Sequence, residues 1–212
     1  MASSQLIVFV RAPQPGKVKT RLAAGIGNEA AARAYRSLVD RLVHRLERLR
    51  QVELHYDPPG AEEQIRPWLQ PGWTARPQAA GDLGGRMQTA FATAFNGGAD
   101  RVAIIGTDCP DIAVDDIAAA WNGLDTGDLV LGPAVDGGYW LIALRAPQPI
   151  LFSQMPWSTS NVLVETMARA SRLGLQTRLL RELRDIDTAE DWREFVRRKA
   201  AGALGQNNQG VP

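Results

Sequence analysis

Arg101-Val102-Ala103-Ile104-Ile105-Gly106-Thr107-Asp108-Cys109-Pro110-Asp111 is the stretch on which the reading of the fold turns. The apolar run Val102–Ile105 stops at Gly106-Thr107 and delivers Asp108. A short apolar run bounded by a turn signal reads as a buried strand. In an open α/β sheet, ligands bind just beyond the carboxyl ends of such strands. A carboxylate at that edge is placed to hold a divalent cation, which in turn holds phosphate. Taken alone, Asp108 is more simply a residue that turns the chain after the strand; the surrounding sequence shifts the balance.

Working outward, strands alternate with helices. Gln5–Val10 is a continuous apolar strand, Val52–Tyr56 a second and Trp73–Arg76 a weak third. Asp128–Leu131, Tyr139–Leu144 and Leu175–Leu180 read the same way. Between them the spacing predicts helices over Glu29–Arg50, Ala61–Leu69, from about Asp82 to Phe95, and over Val114–Leu124, Asn161–Leu173 and Thr188–Lys199. The long helix buries Tyr35, Leu38, Leu42, Leu46 and Leu49, and its arginines read as a solvated face. Such alternation argues for α/β layering around a largely parallel sheet. The tight bend Asp136-Gly137-Gly138 predicts one antiparallel strand in it. Residues 1–201 are expected to form a single domain, and Gly202–Pro212 a disordered tail.

Composition excludes more than it selects. The net charge is +1, so no overall pull toward nucleic acid or membranes is expected. One cysteine, Cys109, rules out an internal disulfide framework and a cysteine-based zinc site. The first apolar run, Leu6–Val10, is too short for a signal peptide or a membrane span, and a cytoplasmic protein is expected. The two histidines, His44 and His55, have no metal-ligand spacing, and a Ser-His-Asp triad has no support.

Two kinds of residue carry candidate chemistry. The loop Arg11–Arg21 contains Pro13, Pro15 and Gly16, and Lys17, Lys19 and Arg21 alternate in it. If the loop is extended, these three project to one side and, with Arg11, suit a triphosphate or pyrophosphate. It is not a P-loop, because Arg11 and Val18 stand where that motif needs glycine and Ser or Thr. Gly81-Asp82-Leu83-Gly84-Gly85-Arg86 opens a helix and can bring a ligand close to backbone N–H groups; an ordinary loop capped by Asp82 is an equal reading. Acidic residues then recur at strand ends: Asp108, Asp111, Asp136, Asp185 and Asp187. Asp108 and Asp187 converging on one edge would give the oxygen-rich site that Mg2+ or Mn2+ prefers, with Asp111 and Asp185 left open as further ligands. Thr188 and Asp191 form a capping-box pattern. Cys109 reads as a small buried residue, and Trp140 and Trp157 flank the proposed mouth.

These motifs appear in one order: Arg11-Ala12-Pro-x-Pro-Gly16-x-x-Lys19-Thr20-Arg21-Leu22, Gly81-Asp82-Leu83-Gly84-x-Arg86-Met87, Gly106-Thr107-Asp108-Cys109-Pro110, Gly132-Pro133-Ala134-x-Asp136-Gly137-Gly138-Tyr139, Pro156-Trp157-Ser158-Thr159 and Asp185-Ile186-Asp187-Thr188-x-x-Asp191. Together they resemble a bacterial family of transferases, called transferase 1 and associated with radical-SAM and selenodomain proteins. The resemblance spans roughly Leu6 to Phe195. It implies a GT-A-like α/β fold of the nucleotide-diphospho-sugar transferase superfamily, a three-layer sandwich with a mixed, mostly parallel central sheet. It further implies a metal, Mg2+ or Mn2+, on Asp108, with Asp187 as second acid. Arg11, Gly16, Lys17, Lys19 and Arg21 would form the phosphate loop, with Lys19 catalytic alongside the two acids. Gly81, Asp82, Gly84 and Arg86 would contact the nucleotide, and Asp136, Gly137, Gly138 and Trp157 would border a small-molecule acceptor. Two reactions fit: nucleotidyl transfer from an NTP with pyrophosphate release, which the basic loop favours slightly, and glycosyl transfer from a nucleotide-sugar. A non-catalytic nucleotide-binding module is the third reading. Base, acceptor and oligomeric state are not legible.

Overall fold

A computed structural model describes residues 2–206. The chain forms two compact units, one from the residues up to Ala12 together with Leu38–Asp185, the other from Pro13–Ser37 together with the residues from Ile186 onward.

The first unit holds the whole sheet: β1 (Ser4–Arg11), β2 (Val52–Asp57), β3 (Thr74–Pro77), β4 (Arg101–Ile105), β5 (Leu129–Pro133), β6 (Tyr139–Leu144) and β7 (Thr177–Leu179). The helices of the chain are α1 (Thr20–Ile26), α2 (Asn28–Leu46), α3 (Glu62–Ile65), α4 (Leu83–Asn96), α5 (Val114–Thr126), α6 (Val162–Arg172) and α7 (Ala189–Gln206). The seven strands run in the order β3-β2-β1-β4-β6-β5-β7. Strand β6 is antiparallel to β4 and β5, and the other neighbours are parallel. The mixed sheet expected from Asp136-Gly137-Gly138 is therefore present. Helices cover both faces. Ile7, Val102, Ile104, Leu129, Leu131, Ile142 and Leu144 pack with Met87, Phe91 and Ala94 of α4 and Ala170 of α6. The alternate residues of the same strands, among them Val8, Ala103, Ile105, Val130 and Ala143, are equally buried and point to the other face. There α5 comes so close that a Cβ on Gly123 would lie 2.8 Å from Val130 Cγ2.

The order of the strands decides where a ligand can bind. From β1 the chain moves outward to β2 and β3, then returns to place β4 on the other side of β1. The crevice beyond the carboxyl ends of β1 and β4 is thus a topological switch point. Arg11 ends β1 and Asp108 follows β4 there. Because β6 is antiparallel and begins at Tyr139, the bend Asp136–Gly138 lies at the same edge.

In the second unit, Leu22 of α1 is fully buried among Ala31, Ala34, Ala189 and Trp192. The sequence pattern places no helix at Thr20–Ile26; short and without a side-chain cap, α1 owes its stability to that packing. Helix α7 starts on the expected capping box: Thr188 N–H donates to Asp191 Oδ2 at 2.8 Å and Asp191 N–H to Thr188 Oγ1 at 3.2 Å. It continues to Gln206, past the expected end at Lys199, so the tail expected to be disordered from Gly202 begins helical. Its last part, residues 207–212, lies outside the described residues.

Glu53 on β2 is buried yet charged. Burial pushes its carboxyl up, but hydrogen bonds from His55 and Arg76 outweigh this and hold it below the usual value of 4.5. A folded-state pKa below the unfolded one stabilises the fold fully above the unfolded value, and this contribution is lost as pH falls through the folded value. In urea unfolding, wild-type stability is expected to fall more steeply than that of Glu53→Gln between about pH 5 and 3; parallel curves would show that Glu53 is not the titrating group.

Candidate active site

Asp108 is exposed between two buried neighbours, Thr107 and Cys109, so its backbone is anchored on both sides. The loop that follows is held by arginines. Arg41 Nε donates to the Pro110 carbonyl at 3.2 Å and its NH2 to Asp111 Oδ1 at 3.3 Å. Arg45 Nε donates to the Ile112 carbonyl at 2.7 Å. Arg181 grips Asp116 with two bonds of 2.6 and 2.7 Å and the Asp111 carbonyl at 3.0 Å. Asp116 in turn accepts the Ala113 N–H at 2.8 Å. Burial raises the Asp116 carboxyl, but the bonds from Arg181 and Ala113 prevail and hold it below the usual carboxylate value. Arg41 and Arg45 belong to the helix whose arginines the sequence pattern assigns to a solvated face; these two do not lie there. Asp111 is likewise an anchor of the loop through Arg41.

The bend at the start of β6 is equally fixed. Asp136 Oδ1 accepts the Gly138 N–H at 2.8 Å, and the Gly137 carbonyl accepts the Leu163 N–H at 2.9 Å. Gly137 has φ +87°, and a Cβ on it would meet the Ser160 carbonyl oxygen at 2.2 Å. No other residue fits there. Gly84 is required for a similar reason, with Phe152 O at 2.6 Å and Trp157 Nε1 at 2.8 Å from its would-be Cβ. The glycine-rich loop and Trp157 are therefore neighbours. Trp157 Nε1 is buried with no acceptor among the described residues. Trp140, by contrast, is core: it packs under Gly132 and donates to the Arg181 carbonyl at 3.2 Å.

Asp82 caps α4 by accepting the Gly85 N–H at 2.8 Å. Arg86, expected to face a ligand, is engaged by the protein itself. Its Nε donates to the Gly81 carbonyl at 3.0 Å and its NH1 to Gln78 Oε1 at 3.0 Å, with Asp57 Oδ1 at 3.3 Å. Asp57 also takes Arg11 Nε and NH2 at 3.1 and 3.0 Å. Asp57 ends β2 much as Asp108 follows β4, yet no local pattern in the sequence marks it or Gln78 as part of a site.

In the second unit the basic loop is not extended. Lys17 lies exposed in a turn, Gly16 has φ +75°, and Lys19 adopts the left-handed conformation, φ 48°, ψ 49°, just before α1. The three cations thus do not share one side by alternation. The Lys19 side chain is 4% exposed and donates to Asp187 Oδ1 at 2.8 Å, while exposed Arg21 stands 3.6 Å from Asp187 Oδ2. A left-handed lysine is strained, and such strain gathers at functional sites. Asp185 and Asp187 flank fully buried Ile186, as the extended reading predicts. Among the described residues no three His, Cys, Asp or Glu side chains come together as a ready metal site.

This mixed, mostly parallel α/β architecture is that of nucleotide-diphospho-sugar transferases. A protein of Desulfovibrio desulfuricans G20, provisionally named a nucleotide-diphospho-sugar transferase, shares it with a TM-score of 0.80 and 37% identity, over 89% of this chain and 84% of that one. The chain belongs to the bacterial family DUF2064, described as an uncharacterized protein conserved in bacteria, whose pattern matches residues 40–159. Over 123 residues it is 30% identical to phosphoenolpyruvate guanylyltransferase of Chloroflexus aggregans (strain MD-66 / DSM 9485), covering 56% of this chain and 59% of that one. It thus spans less than two thirds of that relative's length. Rv0371c of Mycobacterium tuberculosis H37Rv, in its complex with manganese, shares the fold at 18% identity, with TM-score 0.52 and coverage of 91% of this chain and 98% of that one.

Replacing Asp116 by Asn removes one acceptor of the Arg181 pair. A loss of about 1–2 kcal/mol is expected in urea unfolding, at the low end for a buried partner because the guanidinium is half exposed. No loss would mean that Arg181 does not fix the loop.

Proposed function

We propose that this protein is a metal-dependent transferase that uses a nucleotide donor and moves a nucleotidyl group from an NTP to a small phosphate-bearing acceptor, with release of pyrophosphate. The observation that carries this reading is Asp108, exposed at the switch point on a loop held by three arginines. The relative named for guanylyl transfer to phosphoenolpyruvate supports the reaction class and makes GTP and phosphoenolpyruvate the first pair to test. The narrower assignment to the radical-SAM-associated transferase 1 family rests on the motifs alone. Action in the cytoplasm follows from the donor; among the described residues no helix is long and apolar enough to cross a membrane.

The donor set fits Mg2+ or Mn2+. An exposed carboxylate at a sheet edge suits a cation that completes its shell with water and substrate phosphates. Asp108 would hold it; when bound it would neutralise charge on the phosphate oxygens. The remaining work falls to the chain. Lys17, Lys19 and Arg21 bind the phosphates and stabilise the departing pyrophosphate. Asp187 holds the sheltered Lys19 ammonium in position, at 2.8 Å. Gly81, Asp82 and Gly84 bring backbone close to the nucleotide, and Asp136, Gly137, Gly138 and Trp157 border the acceptor. In this reading proximity and charge supply the catalysis.

Pyrophosphate release is measured with GTP, phosphoenolpyruvate and Mg2+ or Mn2+. The wild type is expected to turn over only with metal, and Asp108→Asn to lose about 100-fold or more while its circular dichroism is unchanged. Lys19→Ala is expected to weaken GTP more than GMP; equal loss would remove Lys19 from the distal phosphates. The provisional name of the Desulfovibrio protein keeps glycosyl transfer as the second reading. Nucleoside diphosphate release from a nucleotide-sugar, with no pyrophosphate from any NTP, would establish it instead. Metal-independent binding without turnover would leave a nucleotide-binding module.

A further inference from the structure

We infer that Asp57 is a positioning residue for the nucleotide, acting through Arg11 and through the glycine-rich loop; this rests on the nucleotide-donor reading above. Asp57 lies at the carboxyl end of β2, paired in register with Arg11 on β1. Its carbonyl accepts the Ala12 N–H at 2.8 Å, which fixes where the chain leaves β1. Its carboxylate divides between two guanidiniums: Oδ2 takes both Nε and NH2 of Arg11, and Oδ1 faces NH1 of Arg86 at 3.3 Å. The carboxylate is 15% exposed, whereas the Arg11 side chain is 59% exposed. The acid is thus sheltered and the cation it orients is presented to solvent at the switch point.

The other arginine carries the effect to the loop. Arg86 binds the Gly81 carbonyl and shares NH1 between Gln78 and Asp57. Gln78 is itself fixed, since its amide nitrogen donates to the His55 carbonyl at 2.9 Å and the Val10 carbonyl at 3.4 Å. Its oxygen must therefore face Arg86, and Arg86 has no freedom to swing toward a ligand without breaking several bonds. Arg86 holds the glycine-rich loop, and Arg11 meets the nucleotide. Two guanidiniums on one carboxylate leave a net single positive charge, which suits one phosphate or the acceptor edge of a base. Asn cannot reproduce this, because its amide nitrogen would oppose a guanidinium N–H.

The test is a double-mutant cycle on the full chain, read by calorimetry with GTP and Mg2+. Asp57→Asn and Arg11→Met are each expected to raise the Kd for GTP roughly tenfold, the worth of one charge-assisted bond. The double variant should lose less than the product of the two single losses, since the part of the Asp57 effect that runs through Arg11 is already gone in Arg11→Met. Asp57→Glu should recover part of the loss, a rescue that a merely structural role would not give. Thermal unfolding of each variant separates lost stability from lost affinity. An Asp57→Asn protein that melts earlier but binds GTP as wild type overturns the proposal, as do strictly multiplicative losses in the cycle. If the wild type itself binds no GTP, UTP, CTP or ATP, the nucleotide reading fails and this proposal with it. Wild-type binding with indifferent variants sinks the positioning role alone.

Discussion

The grip of guanidinium groups on the backbone carbonyls of residues 110–112 is the interaction on which the candidate site depends. A loop at a sheet edge exposes carbonyls that no strand or helix satisfies. Here Arg41, Arg45 and Arg181 supply charged donors to Pro110, Asp111 and Ile112. Charge-assisted bonds are roughly twice as strong as neutral ones. Asp108 can therefore stand exposed and still be held in place, since the support lies in the residues just after it. Arg41 and Arg45 sit about one helix turn apart on α2, and Arg181 comes from the segment after β7. The loop is thus defined by contacts across some 70 residues of sequence.

That distance explains what the sequence disclosed and what it did not. Signals carried within a few residues were legible: the apolar run ending at Asp108, the bend at Gly137-Gly138 with its antiparallel strand, the capping box of Thr188 and Asp191. Partners brought together by the sheet were not. Nothing in the local sequence around Asp57 announces Arg86, and nothing around Arg41 announces Asp111. The arginines of α2 looked like a solvated face because periodicity identifies the buried stripe but not which long side chains reach past its rim. The basic loop failed in another way. Alternation implies a shared side only in extended backbone, and the turn at Gly16 with left-handed Lys19 removes that premise.

The second unit places its charge differently from the first. Asp57 is shared between guanidiniums of which Arg11 is largely exposed, whereas Asp187 meets an ammonium that is almost wholly sheltered. The pairing with Asp187 fixes a hidden side chain on a strained, left-handed backbone that the surrounding packing, not local preference, sets.

The strand order has a consequence for how the molecule behaves among its own copies. The two outermost strands, β3 and β7, are also the two shortest, at four and three residues. β3 ends in Pro77, which offers no backbone donor, and carries Arg76 tied to Glu53; β7 has Arg178 at its middle. An unprotected sheet margin is a template on which another chain can add itself. Brevity, a missing donor and a positive charge make both margins poor templates, so the sheet has little means of growing sideways into an aggregate.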